Sequence, residues 1–192
     1  WSIFDGSERV NPVDNAFLHE SANRRERFIV QYSGNLGITH NVEVLLDVAA
    51  RLRDDRRFLV QIIGRGPREP AIRKAVHVRG LDNVEMLPFQ SDERFVHSLS
   101  AADVGVVALN PRVSRGSVPS KAYNLMAFGI PALYIAASDS ELSRYAAELG
   151  TGQRFDADDP GGMASYIRDL ADNPQRYAAI QKQAREASRH FS

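Results

Sequence analysis

Cysteine is absent from all 192 residues, which removes disulfides, thiolate metal sites and cysteine nucleophiles together. Net charge is absent too, because 24 Lys and Arg balance 24 Asp and Glu. A non-specific nucleic-acid binder needs a basic surface to displace counterions, so no nucleic-acid partner is expected. No apolar run approaches the roughly 18 residues of a membrane span, so this chain is not expected to insert into a membrane by itself. His19, His77, His97 and His190 lack metal-ligand spacing, and no metal is expected. Lysine is scarce, confined to Lys74, Lys121 and Lys182. An initiating methionine and a signal-peptide pattern are also lacking at Trp1, which leads us to expect an excised piece of a longer protein. What is there is a hydrophobic fraction of 43%, enough for a core. The length suits one compact domain, and the expected setting is cytoplasmic.

Residues 1–25 show neither strand nor helix periodicity and read as a linker or lead-in segment packed on the outside. It carries turn signals at Asp5-Gly6 and Asn11-Pro12 and ends in a charged patch, Arg24 to Arg27. From residue 26 to 192 the pattern is that of one domain. Strands are predicted at Phe28–Tyr32, Phe58–Ile63, Val84–Leu87, Val104–Leu109, Ala132–Ala136 and Gly152–Phe155. Helices are predicted between them: from Val42 to Leu52 with Asn41 as N-cap, over 68–79 ending at Gly80, over 92–100, and over 119–128 stopped by Gly129 and Pro131. Others run from Glu141 to Leu149 ending at Gly150, and over 161–171 and 174–189. Alternating β and α elements with near-continuous apolar strands imply a parallel sheet covered on both faces, a doubly wound, Rossmann-like α/β domain.

Such sheets bind ligands outside the carboxyl ends of their strands. Three loops there carry candidate groups. Ser33-Gly34-Asn35-Leu36-Gly37 follows the first strand; its glycines either make a tight turn or let the backbone approach an anion. Ile63-Gly64-Arg65-Gly66-Pro67 follows the second, and either cradles a phosphate or only bends the chain. No acidic residue closes that strand, which counts against NAD. The third, Arg112 to Lys121, runs into a helix that Ser117 or Ser120 can cap, with Pro119 in its first turn. Lys121 there opposes the helix dipole, and a bound phosphate would compensate; the alternative is a solvated lysine on a capped helix.

In this order the loops resemble the C-terminal, donor-binding half of GT-B-fold glycosyltransferases of the retaining, GT4-like kind, glycosyltransferase group 1. The resemblance runs from about Phe28 to Phe191. It rests on Tyr32-Ser33-Gly34-Asn35-Leu36-Gly37, on Ile63-Gly64-Arg65-Gly66-Pro67, and on Ala101-Ala102-Asp103-Val104. The last block, from Val118-Pro119-Ser120-Lys121 through Ala127-Phe128-Gly129-Ile130-Pro131, is similar to the capsule, O-antigen and exopolysaccharide branch.

The resemblance implies a UDP- or GDP-sugar as donor substrate, with no cofactor. It sets Gly34, Asn35, Leu36 and Gly37 near the diphosphate and sugar, with Gly64, Arg65 and Gly66 beside them. Pro88-Phe89-Gln90 would border the base. Ser117, Val118, Pro119 and Ser120 would present amides to the diphosphate, Lys121 would stabilise it, and Asn124 would face the ribose. Many relatives carry glutamate where Asn124 and Gly116 stand, and a basic pair where this chain has Asn35 and Ile38-Thr39-His40. Arg65, Arg112 or Arg115 are the candidates to supply the missing charge, and His40 one hydrogen bond. The resemblance further implies that the acceptor site lies in an N-terminal domain of the same protein. The expectation is a fragment that binds nucleotide sugar weakly or not at all and does not turn over, at the inner face of the membrane in the full-length protein. A non-catalytic binding or assembly partner of the same fold is the alternative. An epimerase is a third reading, for which the cleft lacks histidine and acidic residues.

Overall fold

The computed structural model describes residues 4–38, 41–110 and 118–191. The chain divides into two compact units, Val10–Asp103 and Val104–Ser192 with Trp1–Arg9, and parallel strands alternate with helices in each.

The unit Val10–Asp103 opens with a 3-10 turn, Pro12–Asp14, and α1 (Ala16–His19). It continues through β1 (Phe28–Asn35), α2 (Val44–Leu52), β2 (Phe58–Arg65), α3 (Glu69–Val78), β3 (Val84–Leu87) and α4 (Asp92–Ser100). Its strands pair in parallel in the order β3-β2-β1, and α2 and α3 supply the crossovers that parallel pairing requires. β2 is covered on both faces, which is why Phe58-Leu59-Val60-Gln61-Ile62-Ile63 reads as an almost unbroken apolar run.

The interruptions in that run have partners. Gln31, Gln61 and Glu85 stand in register across the three strands. Gln31 Nε2 donates to Gln61 Oε1 at 3.0 Å and to the Ser98 carbonyl at 2.8 Å, and Gln61 Nε2 donates to Glu85 Oε1 at 2.8 Å. Arg24 closes the row, with Nε donating to Glu85 at 3.0 Å and Nη1 to the Phe17 carbonyl at 2.8 Å. Most buried polar groups in folded proteins are satisfied by partners in this way.

Arg24 and Phe17 therefore give the lead-in segment a place in the core that its composition does not announce. Phe17 is 2% exposed in a cluster with Ile29, Leu59 and Ile63, and the Arg24 guanidinium lies 4.0 Å above its ring. Arg24 itself is buried, whereas its charged neighbours suggested a surface patch.

The other unit runs β4 (Val104–Ala108), α5 (Ser120–Phe128), β5 (Ala132–Ile135), α6 (Glu141–Leu149), β6 (Gly152–Phe155), α7 (Pro160–Asp172) and α8 (Pro174–Ser188). Its strands pair in parallel in the order β4-β5-β6. α5 lies close on β4 because Gly105 has no side chain: a Cβ there would sit 2.2 Å from a Leu125 methyl. α5 stops at Gly129, whose φ of 64° is left-handed, and the Ile130 N–H donates to the Leu125 carbonyl at 2.9 Å. α8 is docked by Ile180, Ala184 and Ala187, all buried, and Phe191 packs beyond it, its ring centroid 5.0 Å from that of Tyr123 and 5.4 Å from that of Tyr145.

Three local expectations change. β1 and β2 run on through Ser33–Asn35 and Gly64–Arg65, so the glycine segments begin as paired strand and not as loop. Asn41 does not cap α2 with its side chain; it has a φ of 23° one turn ahead, and only its carbonyl accepts, at 3.4 Å from Val44 N. Pro119, not a serine, takes the N-cap position of α5.

Candidate donor-binding groups

In the unit Val10–Asp103 the carboxyl ends of β1 and β2 are knit by their backbones. Gly34 pairs with Gly64, and Asn35 with Arg65. A Cβ on Gly64 would lie 1.8 Å from the Gly34 carbonyl oxygen, and one on Gly66 would lie 2.5 Å from that of Leu36. The Leu36 N–H donates to the Arg65 carbonyl at 2.9 Å, and the Leu36 carbonyl accepts from Arg68 N at 3.0 Å. Under them the Tyr32 hydroxyl donates to the Asn35 carbonyl at 2.6 Å, and burial pushes that hydroxyl up to about 12. Backbone contact alone therefore requires glycine at 64 and 66.

This sorts the expected ligand groups. Leu36 is 1% exposed with its amide engaged, and Gly34 and Gly64 are buried; these three hold the loops in shape. Asn35 and Arg65 are exposed, Gly37 and Gly66 partly so, and these face outward. At the end of β3, Pro88 and Phe89 are exposed, Phe89 by 46%. Gln90 Nε2 donates back to the Pro88 carbonyl at 2.7 Å and braces that turn. The structure also joins two residues that the motifs left separate: the Arg65 guanidinium carbon lies 5.4 Å from the centroid of the Phe89 ring, a cation–π contact.

In the other unit no side chain among the described residues caps the first amides of α5. Val118 and Pro119 are partly exposed and Ser120 exposed. Lys121 and Asn124, three residues apart, share a partly buried face, while Ala122, Leu125 and Met126 go into the core. Burial pulls the Lys121 ammonium down to about 8, and its position in the first turn opposes the helix dipole. The expected groups Thr39, His40, Arg112, Arg115, Gly116 and Ser117 lie outside the described residues.

One motif residue has a role that spacing did not disclose. Asp103 accepts the Ile29 N–H on Oδ2 at 2.7 Å and returns its own N–H to the Ile29 carbonyl at 2.9 Å, so it binds the backbone of β1. Arg24 is the other residue that sequence reasoning missed; the in-register Gln31 and Gln61 were the available signal.

Each unit also has a polar cavity elsewhere. One of about 320 Å³ lies at the amino ends of β1 to β3, lined by Arg27, Arg53, Arg56, Asp54 and Asp82 among others. One of about 440 Å³ lies along β6, lined by Gln153, Arg154, Tyr166, Asp169 and Arg176 among others. Among the described residues no group of three or more His, Asp or Glu is placed to hold a metal ion, and no helix is long and apolar enough to cross a membrane.

Comparison with known proteins follows the same outline. The family model described as "Glycosyl transferases group 1" matches residues 14–187. The chain is 31% identical over 116 residues to the Escherichia coli (strain K12) protein named "Putative colanic acid biosynthesis glycosyl transferase WcaI", a match covering 60% of this chain and 28% of that protein. The structure is similar to Anabaena Alr3699/HepE in complex with UDP and glucose, with a TM-score of 0.80, 16% identity, and coverage of 96% of this chain and 50% of that one. It is also similar to the C-terminal domain of the glycosyl transferase group 1 family protein LpcC from Francisella tularensis, with a TM-score of 0.72, 14% identity and coverage of 95% of both chains. These likenesses give the fold: the Rossmann-like α/β domain of GT-B glycosyltransferases. The chain thus spans under a third of the curated relative, about half of the first solved structure and nearly all of the isolated C-terminal domain.

Proposed function

The chain belongs to the glycosyl transferases of group 1, as their C-terminal domain, and from that premise we propose that it binds the donor for a retaining sugar transfer. The donor is a UDP- or GDP-sugar, and the acceptor is a glycan or lipid-linked glycan of bacterial surface polysaccharide synthesis. The named relative in colanic acid biosynthesis supports the pathway class. The UDP held by the solved relative supports the donor class.

The observation that carries the reading is Lys121. It stands with Asn124 on a partly buried face in the first turn of α5, where a cation opposes the helix dipole and burial lowers its ammonium to about 8. A bound diphosphate would favour the ammonium there. Breaking a glycosyl–phosphate bond builds negative charge on the departing diphosphate, and fixed amides and a cation lower that barrier. Asn124, on the same face, offers the ribose one donor and one acceptor. Asn35, Gly37 and Gly66 supply outward polar backbone and side-chain groups at the strand ends.

We assign acceptor binding to the part of the relatives that lies beyond the match, so the chain alone binds donor weakly and does not transfer sugar. Calorimetric titration with UDP- and GDP-sugars tests this. Weak binding that Lys121→Met reduces at least tenfold is expected. Efficient transfer by the chain alone, or an unchanged affinity in Lys121→Met, would overturn the assignment. A native fold with no nucleotide binding would favour the non-catalytic partner.

A further inference from the structure

The amino ends of β1 to β3 carry none of the sequence motifs, yet the cavity of about 320 Å³ there gathers Arg27, Arg53 and Arg56 with Asp54, Asp55 and Asp82. Opposite charges brought this close commonly pair, as they do around α3: Arg68 with Glu43 at 2.6 Å, Arg79 with Asp47 at 2.9 Å and Arg73 with Glu69 at 3.2 Å. In the cavity Asp55 is taken by Arg57 at 2.7 Å. Among the described residues, however, no ion pair joins Arg27, Arg53 or Arg56 to a carboxylate, or Asp54 or Asp82 to a cation. Arg53 is anchored on backbone instead, Nη1 donating to the Arg79 carbonyl at 3.1 Å and the Gly80 carbonyl at 3.4 Å, and Arg27 Nη1 lies 3.5 Å from the Phe58 carbonyl. Asn83, in the same lining, is 4% exposed. Its Nδ2 donates to the Ala49 carbonyl at 2.9 Å, while its Oδ1 is buried with no hydrogen-bond partner among the described residues. A buried acceptor left without a donor is rare and costs stability.

We propose that this cavity binds a small polyol or sugar phosphate, a terminal phosphate carried on a hydroxyl-rich body. Guanidinium forks without carboxylate partners match phosphate oxygens with parallel N–H bonds. With Asp55 neutralised by Arg57, the lining holds three cations against two free carboxylates, so an anion is still favoured. The carboxylates of Asp54 and Asp82 and the Oδ1 of Asn83 only accept, so they call for hydroxyl donors. A phosphate dianion offers a single hydroxyl, whereas a polyol ester offers several. The volume is that of a small-molecule site. It lies at the opposite ends of the strands from the groups assigned to the donor. A nucleotide sugar, whose two phosphates are both bridged, has no terminal phosphate to present to it.

The test is calorimetric titration of the chain with glycerol 3-phosphate, inorganic phosphate and glycerol, for the wild type, Arg56→Ala, Asp54→Asn and, as a control for net charge, Arg73→Ala. Glycerol 3-phosphate is expected to bind about tenfold more tightly than inorganic phosphate, and glycerol to give no heat. Arg56 is exposed and unpaired among the described residues, so its removal spares the fold and weakens both phosphates about tenfold. Arg73→Ala leaves both unchanged. Asp54→Asn weakens glycerol 3-phosphate and not inorganic phosphate, since only the ester brings a hydroxyl to that carboxylate. Equal losses in Arg56→Ala and Arg73→Ala would show diffuse attraction and overturn the proposal. So would inorganic phosphate binding as tightly as the ester, or no isotherm with glycerol 3-phosphate in a chain with a native circular dichroism spectrum. Sedimentation with phosphatidylcholine vesicles containing phosphatidic acid separates the sources. Retention of the wild type but not of Arg56→Ala, without a glycerol 3-phosphate isotherm, would put a lipid headgroup in the cavity and overturn the soluble ligand.

Discussion

The carboxyl ends of β1 and β2 and the start of α5 both read in the sequence as either anion-binding or purely structural features, yet they differ in what the fold demands of them. At the strand ends the glycines are needed whether or not a ligand binds, since Gly64 and Gly66 sit where a Cβ would meet a neighbouring carbonyl within 2.5 Å. At the helix start Lys121 is opposed by the dipole, and burial lowers its ammonium to about 8. A residue that packing explains is weak evidence of a ligand. A residue that packing penalises is stronger evidence.

Substitutions can break this contrast. Gly64→Ala is expected to have the largest effect, about 3 kcal/mol of stability and roughly 6–12 °C in Tm, read in a thermal melt without ligand. A normal melt with only ligand affinity lost would place this glycine in the same class as Lys121.

Lys121→Met comes next, with nucleotide-sugar affinity at least tenfold weaker at pH 7. Its pH dependence has a definite sign. The folded value of about 8 lies below the ordinary 10.5, so the unfolded chain holds the extra proton between them. The burial penalty is complete below pH 8 and is relieved as pH rises toward 10.5. Urea melts across that window should show the wild type gaining on Lys121→Met, while diphosphate affinity of the wild type falls over the same rise.

Gly80→Ala sharpens the glycine side of the contrast. Gly80 has a φ of 59° and nothing within 4 Å of a Cβ, so the cost is conformational alone, about 1 kcal/mol. A melt as damaged as that of Gly64→Ala would mean that contact is not what separates the two sites. Asn124→Ala is the smallest change, about threefold in nucleotide affinity for one lost hydrogen bond, measured by titration.

Much of this was legible in the sequence because it is periodic or punctuated. α4, α6, β3 and β6 have the expected bounds, α6 with Gly150 at its end. What was not legible depends on partners distant in the chain. Nothing local says that β1 continues through Gly34, because its pairing partner is Gly64. Nothing around Arg24 says that Glu85, 61 residues away, will draw it inside. The candidate site divides the same way. Gly37, Gly66, Lys121 and Asn124 stood out by type and position, while the burial of Leu36 and the stacking of Arg65 on Phe89 needed the sheet register.

The most direct test is an amide chemical-shift map of the isotopically labelled chain as nucleotide sugar is added. Perturbations are expected at Gly37, Arg65, Gly66, Phe89, Lys121 and Asn124, with Arg53, Asp82, Gln153 and Asp169 still. Shifts gathered instead at Arg53 and Asp82, or at Gln153 and Asp169, would put the ligand in one of the two polar cavities and contradict the assignment.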